Sequence, residues 1–128
     1  WVLAVPGRDM WVGASIYESG KFVVTAPDLD DKTVFRVMTA RIKRTIDNVA
    51  LPKWGLYLGG VAVALSNEGL TFPGADVVIA GEEPRGPRYE YSMGMAFALL
   101  WYEYNAIPYD HPTLVDLMEY VRRDYVDS

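Results

Sequence analysis

The chain has 128 residues, of which 51% are hydrophobic, and a formal net charge of −5. This length suits one domain with one hydrophobic core, and the composition is typical of a globular protein. The absence of cysteine excludes disulfides and thiolate metal sites, and the single histidine excludes a multi-histidine metal site. The acidic balance argues against nucleic acid or an anionic membrane as a partner, and no apolar run is long enough to span a bilayer.

Three apolar segments at the start of the chain predict β-strands. Val2–Val5 and Met10–Ala14 are separated by a proline and a glycine, and they form either two short strands or one bent strand. Lys21–Ala26 is rich in β-branched and aromatic residues, which favour strands.

The following stretch supports two interpretations. Pro27–Lys32 is predicted to be a loop, and Thr33–Met38 alternates in the manner of a strand. Arg41–Asn48 alternates in part and is either its antiparallel partner or a helix, since Ile42 and Ile46 are four residues apart.

A helix is predicted from Pro52, because proline is favoured at the first helical position. Asn67 and Gly69 end it. Its apolar stripe at helical spacing consists of Trp54, Tyr57, Leu58, Val61 and Leu65. Gly59 and Gly60 each cost about 1 kcal/mol relative to alanine, which is tolerable where another backbone packs closely.

Residues 74–104 predict a strand, a loop and a second helix. Asp76–Ala80 contains a continuous apolar run, as a buried strand does, and glycines and prolines follow it. The helical stripe then consists of Met93, Phe97, Leu100, Trp101 and Tyr104. Such a loop is a potential anion site, because free backbone N–H groups and the helix dipole point at it.

A last helix is predicted after residue 112. Its stripe consists of Leu114, Leu117, Met118, Val121 and Tyr125, with Arg122 and Arg123 on the outer side. The element order β-β-β-β-α-β-α-α predicts an α+β domain with helices on one face of a mixed or antiparallel sheet.

The loop of residues 81–91 is the main candidate for chemistry. Arg85 and Arg88 are suited to bidentate contacts with phosphate. The simpler interpretation is a surface connection, because Glu82, Glu83 and Glu90 outnumber the two arginines.

Two further residues have both a structural and a functional interpretation. Arg8 follows a proline and a glycine at a strand break, where it faces either a cleft or solvent. His111 stands between Asp110 and Pro112, and we predict a helix-start residue rather than a catalytic base.

The acidic run Asp28, Asp30 and Asp31 offers the oxygen ligands that a hard cation prefers. A solvated turn is the simpler interpretation of this run. We therefore predict no metal site in the chain.

Three segments together match the motifs of a known family. Residues 53–65, KWGLYLGGVAVAL, match a Trp-x-x-Tyr-x-x-Gly helix, and residues 74–86, GADVVIAGEEPRG, match a G-x-D-V-x-x-x-G-x-x-P-x-G strand and loop. Residues 6–24 align without a gap to the opening signature P-G-R-V-N-x-I-G-E-H-T-D-Y-N-G-G-F-V-L. The matches in that signature are Pro6-Gly7-Arg8, Gly13, Gly20 and Phe22-Val23. The chain thereby resembles the N-terminal domain of galactokinase, a member of the GHMP small-molecule kinases.

The resemblance implies a fold like domain 2 of ribosomal protein S5, with a mixed sheet backed by helices. It implies ATP-dependent phosphorylation of a sugar hydroxyl, with Mg-ATP as the cofactor. It places Arg8 near the transferred phosphoryl group, as the catalytic candidate. It assigns Arg85, Gly86, Arg88 and Ser92 to the phosphates of the nucleotide, with Ser92 near the metal.

The sugar-binding part of the opening signature differs. Residues 14–17, Ala-Ser-Ile-Tyr, stand where the family has Glu-His-Thr-Asp, and Met10 stands where it has asparagine. These changes remove groups that would hydrogen-bond sugar hydroxyls. No sugar-binding residue is predicted.

The nucleotide loop differs as well. The family has P-x-G-x-G-L-S-S-S-A-A, and residues 84–94 here are PRGPRYEYSMG. Arg88 replaces the second glycine, which lets a backbone approach phosphate closely, and Glu90 and Tyr91 replace two serines. Pro87 also removes one N–H donor.

We therefore expect residues 1–128 to be a single GHMP-kinase-like N-terminal domain from a longer cytoplasmic protein. It is expected to have lost galactose phosphorylation and to act as a binding or scaffold domain without a cofactor. The alternative is a divergent sugar or metabolite kinase that uses Mg-ATP and binds a small molecule. The expected partner is the rest of its own chain as a second domain, with no nucleic acid and no membrane.

Overall fold

The computed structural model describes residues 1–128 as a five-stranded mixed sheet with helices packed on one face. The strands are β1 (Val2–Ala4), β2 (Met10–Ile16), β3 (Phe22–Ala26), β4 (Asp31–Phe35) and β5 (Ala75–Gly81). The helices are α1 (Val37–Ala40), α2 (Leu56–Asn67), α3 (Pro87–Tyr104) and α4 (His111–Val121). Short 3₁₀ turns cover Pro27–Leu29 and Lys53–Gly55, and a π-helical turn covers Arg122–Val126. The predicted α+β class is confirmed.

The sheet is arranged around β5. The strand order is β1-β2-β5-β3-β4, and β5 runs antiparallel to β2 and parallel to β3. In this register Ile79 lies opposite Val12, and Val77 lies opposite Val24. The mixed sheet backed by helices, expected from the resemblance to the S5 type of fold, is confirmed.

The core lies between the sheet and the helices, and its centre is aromatic. The ring of Phe22 on β3 lies 5.2 Å from Phe35 on β4 and 5.5 Å from both Phe97 and Trp101 on α3. Phe72, just before β5, packs edge-on at 5.7 Å. These contacts place α3 across the middle of the sheet, where aromatic pairs stabilise beyond simple burial.

The three long helices predicted from apolar spacing are present, although the first begins at Leu56 instead of Pro52, because residues 53–55 form a 3₁₀ turn that contains Trp54. All five stripe residues predicted for this helix are buried, as are four of the five in α3 and four of the five in the last helix. Tyr104 and Tyr125 are half-buried at the ends of their stripes. None of the four helices combines the length and the apolarity needed to cross a bilayer.

The absence of side chains at Gly59 and Gly60 in α2 lets residues of the last helical segment pack closely against this helix. A Cβ on Gly60 would lie 2.5 Å from Cγ1 of Val121 and 2.9 Å from Cδ1 of Tyr125. The hydroxyl of Tyr125 donates a hydrogen bond to the carbonyl of Ala40 at 2.5 Å. The nearest atoms to the two glycines therefore belong to the side chains of Leu51, Val121 and Tyr125, and not to a closely packed backbone as expected.

The predictions for residues 27–48 need correction. Asp31 already belongs to β4, which ends at Phe35 instead of Met38. The chain then turns into α1, because the N–H of Arg36 donates to Oγ1 of Thr39 at 3.0 Å and starts a helix there.

Residues 41–48 form neither the predicted strand nor the alternative helix. Lys43 and Asn48 have positive φ angles of 58° and 63°, which interrupt both kinds of repeat. A single antiparallel bridge joins Arg44 to Ala50. The segment is thus an irregular excursion between β4 and α2.

Trp54 provides a test of the packing of α2. Its side chain is buried, and its indole N–H donates to Oδ2 of Asp31 at 2.8 Å. We expect Trp54→Ala to lower the free energy of unfolding by about 3–5 kcal/mol, because it removes a large buried ring. Urea denaturation measures this loss. Trp54→Phe, which keeps most of the packing, is the matched control, and a near-neutral Trp54→Ala would show that this face does not pack as described.

Candidate functional site

The loop after β5 is fixed at the carboxyl end of this central strand by hydrogen bonds from its backbone N–H groups. The N–H of Gly81 donates to Oδ2 of Asp28 at 2.9 Å, and the N–H of Glu82 donates to the carbonyl of Asp9 at 2.9 Å. These bonds tie the loop to the turn after β3 and to the β1–β2 turn. The central strand therefore brings together its own following loop, the turn after β3 and the β1–β2 turn, which are distant in sequence.

The carboxylate of Glu83 lies at the centre of a cluster of polar side chains formed where these segments meet. Glu83 is only 5% exposed, and its Oε1 accepts a hydrogen bond from Oγ of the fully buried Ser92 at 3.2 Å. Nη1 of Arg8 lies 3.7 Å from Oε1 of Glu83 and donates to Oγ of Ser92 at 3.3 Å. Nε of Arg88 lies 3.4 Å from Oε2 of Glu83. A buried carboxylate needs such partners, because removing a charge from water is costly.

Arg8 reaches Glu83 from the turn between β1 and β2. The turn is closed by the N–H of Arg8 donating to the carbonyl of Val5 at 3.2 Å, and Gly7 has a φ of 71°. The guanidinium carbon of Arg8 also lies 5.2 Å from the ring centroid of Tyr91, a distance suited to a cation–π contact. The side chain of Arg8 therefore faces a cleft and not bulk solvent, which is the first of the two interpretations of this residue.

Arg85 lies apart from the Glu83 carboxylate. Its guanidinium carbon stacks 4.5 Å from the ring centroid of Tyr89, and its Nη2 lies 3.7 Å from Oδ1 of Asp28. The hydroxyl of Tyr89 donates to Oδ2 of Asp28 at 2.7 Å. That hydrogen bond, followed by the one from Gly81, holds the pKa of Asp28 below its usual value. Burial, followed by the same hydrogen bond, raises the pKa of Tyr89.

Gly86 keeps the geometry of a loop that leads into a helix. Its φ is 111°, which favours glycine, and a Cβ there would have no atom within 4 Å. Pro87 is the first residue of α3, and Glu90 lies in the first turn, where the helix dipole favours a negative charge. Space is therefore open beside Gly86. The carboxylate of Glu90, however, already lies near the positive end of the α3 dipole.

A cleft of about 620 Å³ opens beside the Glu83 cluster. It is lined by Gly7, Arg8, Tyr57, Pro87, Arg88, Tyr91, His111 and Arg122. Arg122 is already paired with Oε1 of Glu119 at 3.0 Å and with Oδ2 of Asp127 at 3.2 Å. The volume lies within the range of small-molecule sites, and each of the three arginines that line the cleft is paired with an acidic side chain.

His111 reaches the cleft through the start of α4. Asp110 caps this helix, because its Oδ1 accepts the N–H of Thr113 at 2.9 Å. His111 is the first helical residue and Pro112 follows it. The predicted role of His111 as a helix-start residue is confirmed.

The fold was compared with solved structures. Lactococcus lactis galactokinase, solved in complex with galactose, matches with a TM-score of 0.73 and 18% identity, over 95% of this chain and 31% of that one. Methanococcus jannaschii mevalonate kinase matches with a TM-score of 0.69 and 10% identity, over 90% of this chain and 36% of that one. A D-glycero-D-manno-heptose 1-phosphate kinase from Bacteroides thetaiotaomicron matches with a TM-score of 0.63 and 16% identity, with the same coverages.

These matches define the class to which the fold belongs. The chain has the fold shared by these small-molecule kinases, and the expected likeness to galactokinase is confirmed for the fold. The chain spans about a third of the length of each kinase. No protein-family model matches the sequence, and no curated protein does.

The residues do not fit the phosphates of Mg-ATP as they are placed. Arg8, Arg88 and Ser92, which the resemblance assigned to phosphate, all contact the carboxylate of Glu83. A phosphate group at this position would compete with the carboxylate for Arg8 and Ser92. The side chain of Arg88 is 67% exposed and, like the space beside Gly86, is open to a ligand.

In the sequence Glu83 is one of several acids in the loop, and its central position was not predicted. The alternation by which Ala75, Val77 and Ile79 face the core ends with β5 at Gly81, so it gives no signal for Glu83. Asp28 was likewise predicted to lie in a solvated turn, whereas its carboxylate accepts hydrogen bonds from the Tyr89 hydroxyl and the Gly81 N–H.

The Tyr89–Asp28 hydrogen bond predicts a pH-dependent effect of Tyr89→Phe. Removing the hydroxyl should raise the pKa of Asp28 towards the usual value of an aspartate. A carboxyl with a lowered folded pKa stabilises the fold above its unfolded pKa, and this contribution is lost as pH falls through the folded pKa. The variant should therefore lose more thermal stability at pH 6 than at pH 2.

NMR titration of the Asp28 carboxyl and melting curves at both pH values measure these effects. Tyr109→Phe is the matched control, because the Tyr109 hydroxyl donates to Glu103 at 2.7 Å and is not bonded to Asp28. An unchanged Asp28 pKa in Tyr89→Phe would contradict the assignment.

Proposed function

We propose that this chain is a galactokinase-like N-terminal domain of a longer protein that has lost galactose phosphorylation. In this proposal the domain is a pseudoenzyme that acts as a binding or scaffold domain. The single observation that carries the proposal is the buried carboxylate of Glu83 among the donors that the resemblance assigns to phosphate.

Glu83 supplies what a phosphate would supply to these donors. Its two oxygens receive Arg8 and Ser92 on one side and Arg88 on the other. Arginine and hydroxyl donors bind carboxylate and phosphate oxygens by the same charge-assisted hydrogen bonds. The carboxylate of Glu83 thus accepts from these donors in the absence of a ligand. A ligand that took its position would leave the charge of Glu83 buried without a partner.

The sugar-binding side supports the same proposal. Ala14 on β2 stands at the position of a family glutamate, and Tyr17 stands at the position of an aspartate. The Tyr17 hydroxyl donates to Oδ1 of Asp76 at 2.6 Å. The carboxylate acceptors that would bind galactose hydroxyls are therefore absent from these positions, and the replacement tyrosine is bonded to a neighbouring strand.

The second candidate is a divergent kinase that binds Mg-ATP and phosphorylates a sugar or another metabolite. Two observations favour it. The space beside Gly86 is open, and the adjoining cleft of about 620 Å³ has room for a small molecule. In this candidate Arg8 contacts the transferred phosphoryl group, and Arg85, Arg88 and Ser92 contact the nucleotide once Glu83 has moved away.

Calorimetric titration with Mg·ATP separates the two candidates. If Glu83 occupies the phosphate position, the wild-type chain should bind no nucleotide at millimolar Mg·ATP. Glu83→Gln removes the competing charge with little change in volume, and it should show measurable binding, with a Kd at least about tenfold below the millimolar limit set by wild type. Glu82→Gln is the matched control, because it removes the same charge from an exposed neighbour.

Micromolar binding by the wild-type chain would overturn the loss of nucleotide binding and favour the kinase. Equal affinity in Glu83→Gln and Glu82→Gln would show that Glu83 does not hold the phosphate position. Melting temperatures of both variants, measured alongside, show whether each remains folded.

A further inference from the structure

Residues 36–49, which we call the basic segment, expose an unusual set of side chains. Its large apolar residues are exposed to solvent: Met38 by 79%, Ile42 by 66%, Val49 by 60% and Ile46 by 37%. Exposed apolar residues are ordinary when they are scattered, but a group within one short segment indicates an interaction surface.

The same segment contains arginines without acidic partners. The five arginines elsewhere in the chain each form an ion pair: Arg8, Arg85, Arg88, Arg122 and Arg123. Arg36 and Arg44 instead donate to the carbonyls of Ser19 at 3.3 Å and Asn48 at 3.1 Å, and Arg41 is exposed. A neutral carbonyl leaves the positive charge uncompensated, so these cations remain available to an anionic partner.

The backbone of the basic segment is held in place. The N–H of Arg44 donates to the carbonyl of Thr39 at 2.9 Å, and the N–H of Thr45 donates to the carbonyl of Val49 at 2.7 Å. The N–H of Ile46 donates to the carbonyl of Val34 on β4 at 3.0 Å. A surface that is already ordered loses little conformational entropy when a partner binds.

The distribution of charge indicates the kind of partner. The basic segment has four cations and one aspartate, so its net charge is +3, and the rest of the chain, at −5 in total, has a net charge of −8. The net positive charge of the segment favours an anionic partner, and the net negative charge of the remainder disfavours an anionic surface that extends beyond the segment. A short acidic segment of a protein meets both conditions.

We propose that the basic segment is a docking site for an acidic protein segment with apolar anchor residues. The carboxylates of the partner pair with Arg36, Arg41 and Arg44, and its apolar side chains cover Met38 and Ile42. Arginine and methionine are enriched in protein interfaces of this kind. The proposal is independent of whether the cleft beside Glu83 binds a nucleotide.

Selection from a displayed library of random peptides of about 12 residues tests the proposal. The wild-type 128-residue chain should select peptides that combine Asp or Glu with large apolar residues. Fluorescence anisotropy then measures their affinity. The Arg41→Glu/Arg44→Glu double variant and the single variant Ile42→Ser should each weaken binding about tenfold. Arg123→Glu, an exposed arginine outside the segment, is the matched control and should bind as wild type does.

Three outcomes would overturn the proposal. The first is selected peptides without an excess of acidic residues, and the second is equal affinity for the wild-type chain and the double variant. The third is a failure to select peptides, together with binding to phosphatidylserine vesicles that the double variant loses, which would assign the segment to a membrane surface. Melting curves confirm that each variant is folded, and Ile42→Ser tests the site without a charge reversal.

Discussion

The structure around the cleft depends on one buried carboxylate. Glu83 has almost no contact with solvent, and its charge is tolerated because two arginines and a serine surround it. These partners come from the β1–β2 turn and from α3, so the ion pairs join separate parts of the chain. Any ligand that enters this position competes with an interaction that also holds the domain together.

Much of the fold follows from apolar spacing. The strands beginning at Val2, Met10 and Phe22, and the three long helices, lie where the patterns predict them. Each has an internal repeat that matches its secondary structure and a face that the core buries. Residues 41–48 have a weaker repeat, and the positive φ angles of Lys43 and Asn48 are decided by local turns that alternation does not encode.

The candidate site was predictable only in part. The loop, Gly86 and Arg8 could be identified because they recur in family motifs, and the structure places Arg8 in the cleft. The position of Glu83 could not be derived from the motifs, because the pairing of a buried acid depends on three-dimensional neighbours. Arg85 and Arg88 have equivalent chemistry in the sequence, yet one stacks on Tyr89 and the other contacts Glu83.

The central position of β5 constrains how the domain folds. β1 with β2, and β3 with β4, form two local hairpins, but no strand joins these hairpins until β5 is inserted between them. During synthesis both hairpins therefore expose an unpaired edge until residue 81 leaves the ribosome. Such long-range pairing slows folding, and the exposed edges of β2 and β3 are the surfaces through which incomplete chains would aggregate.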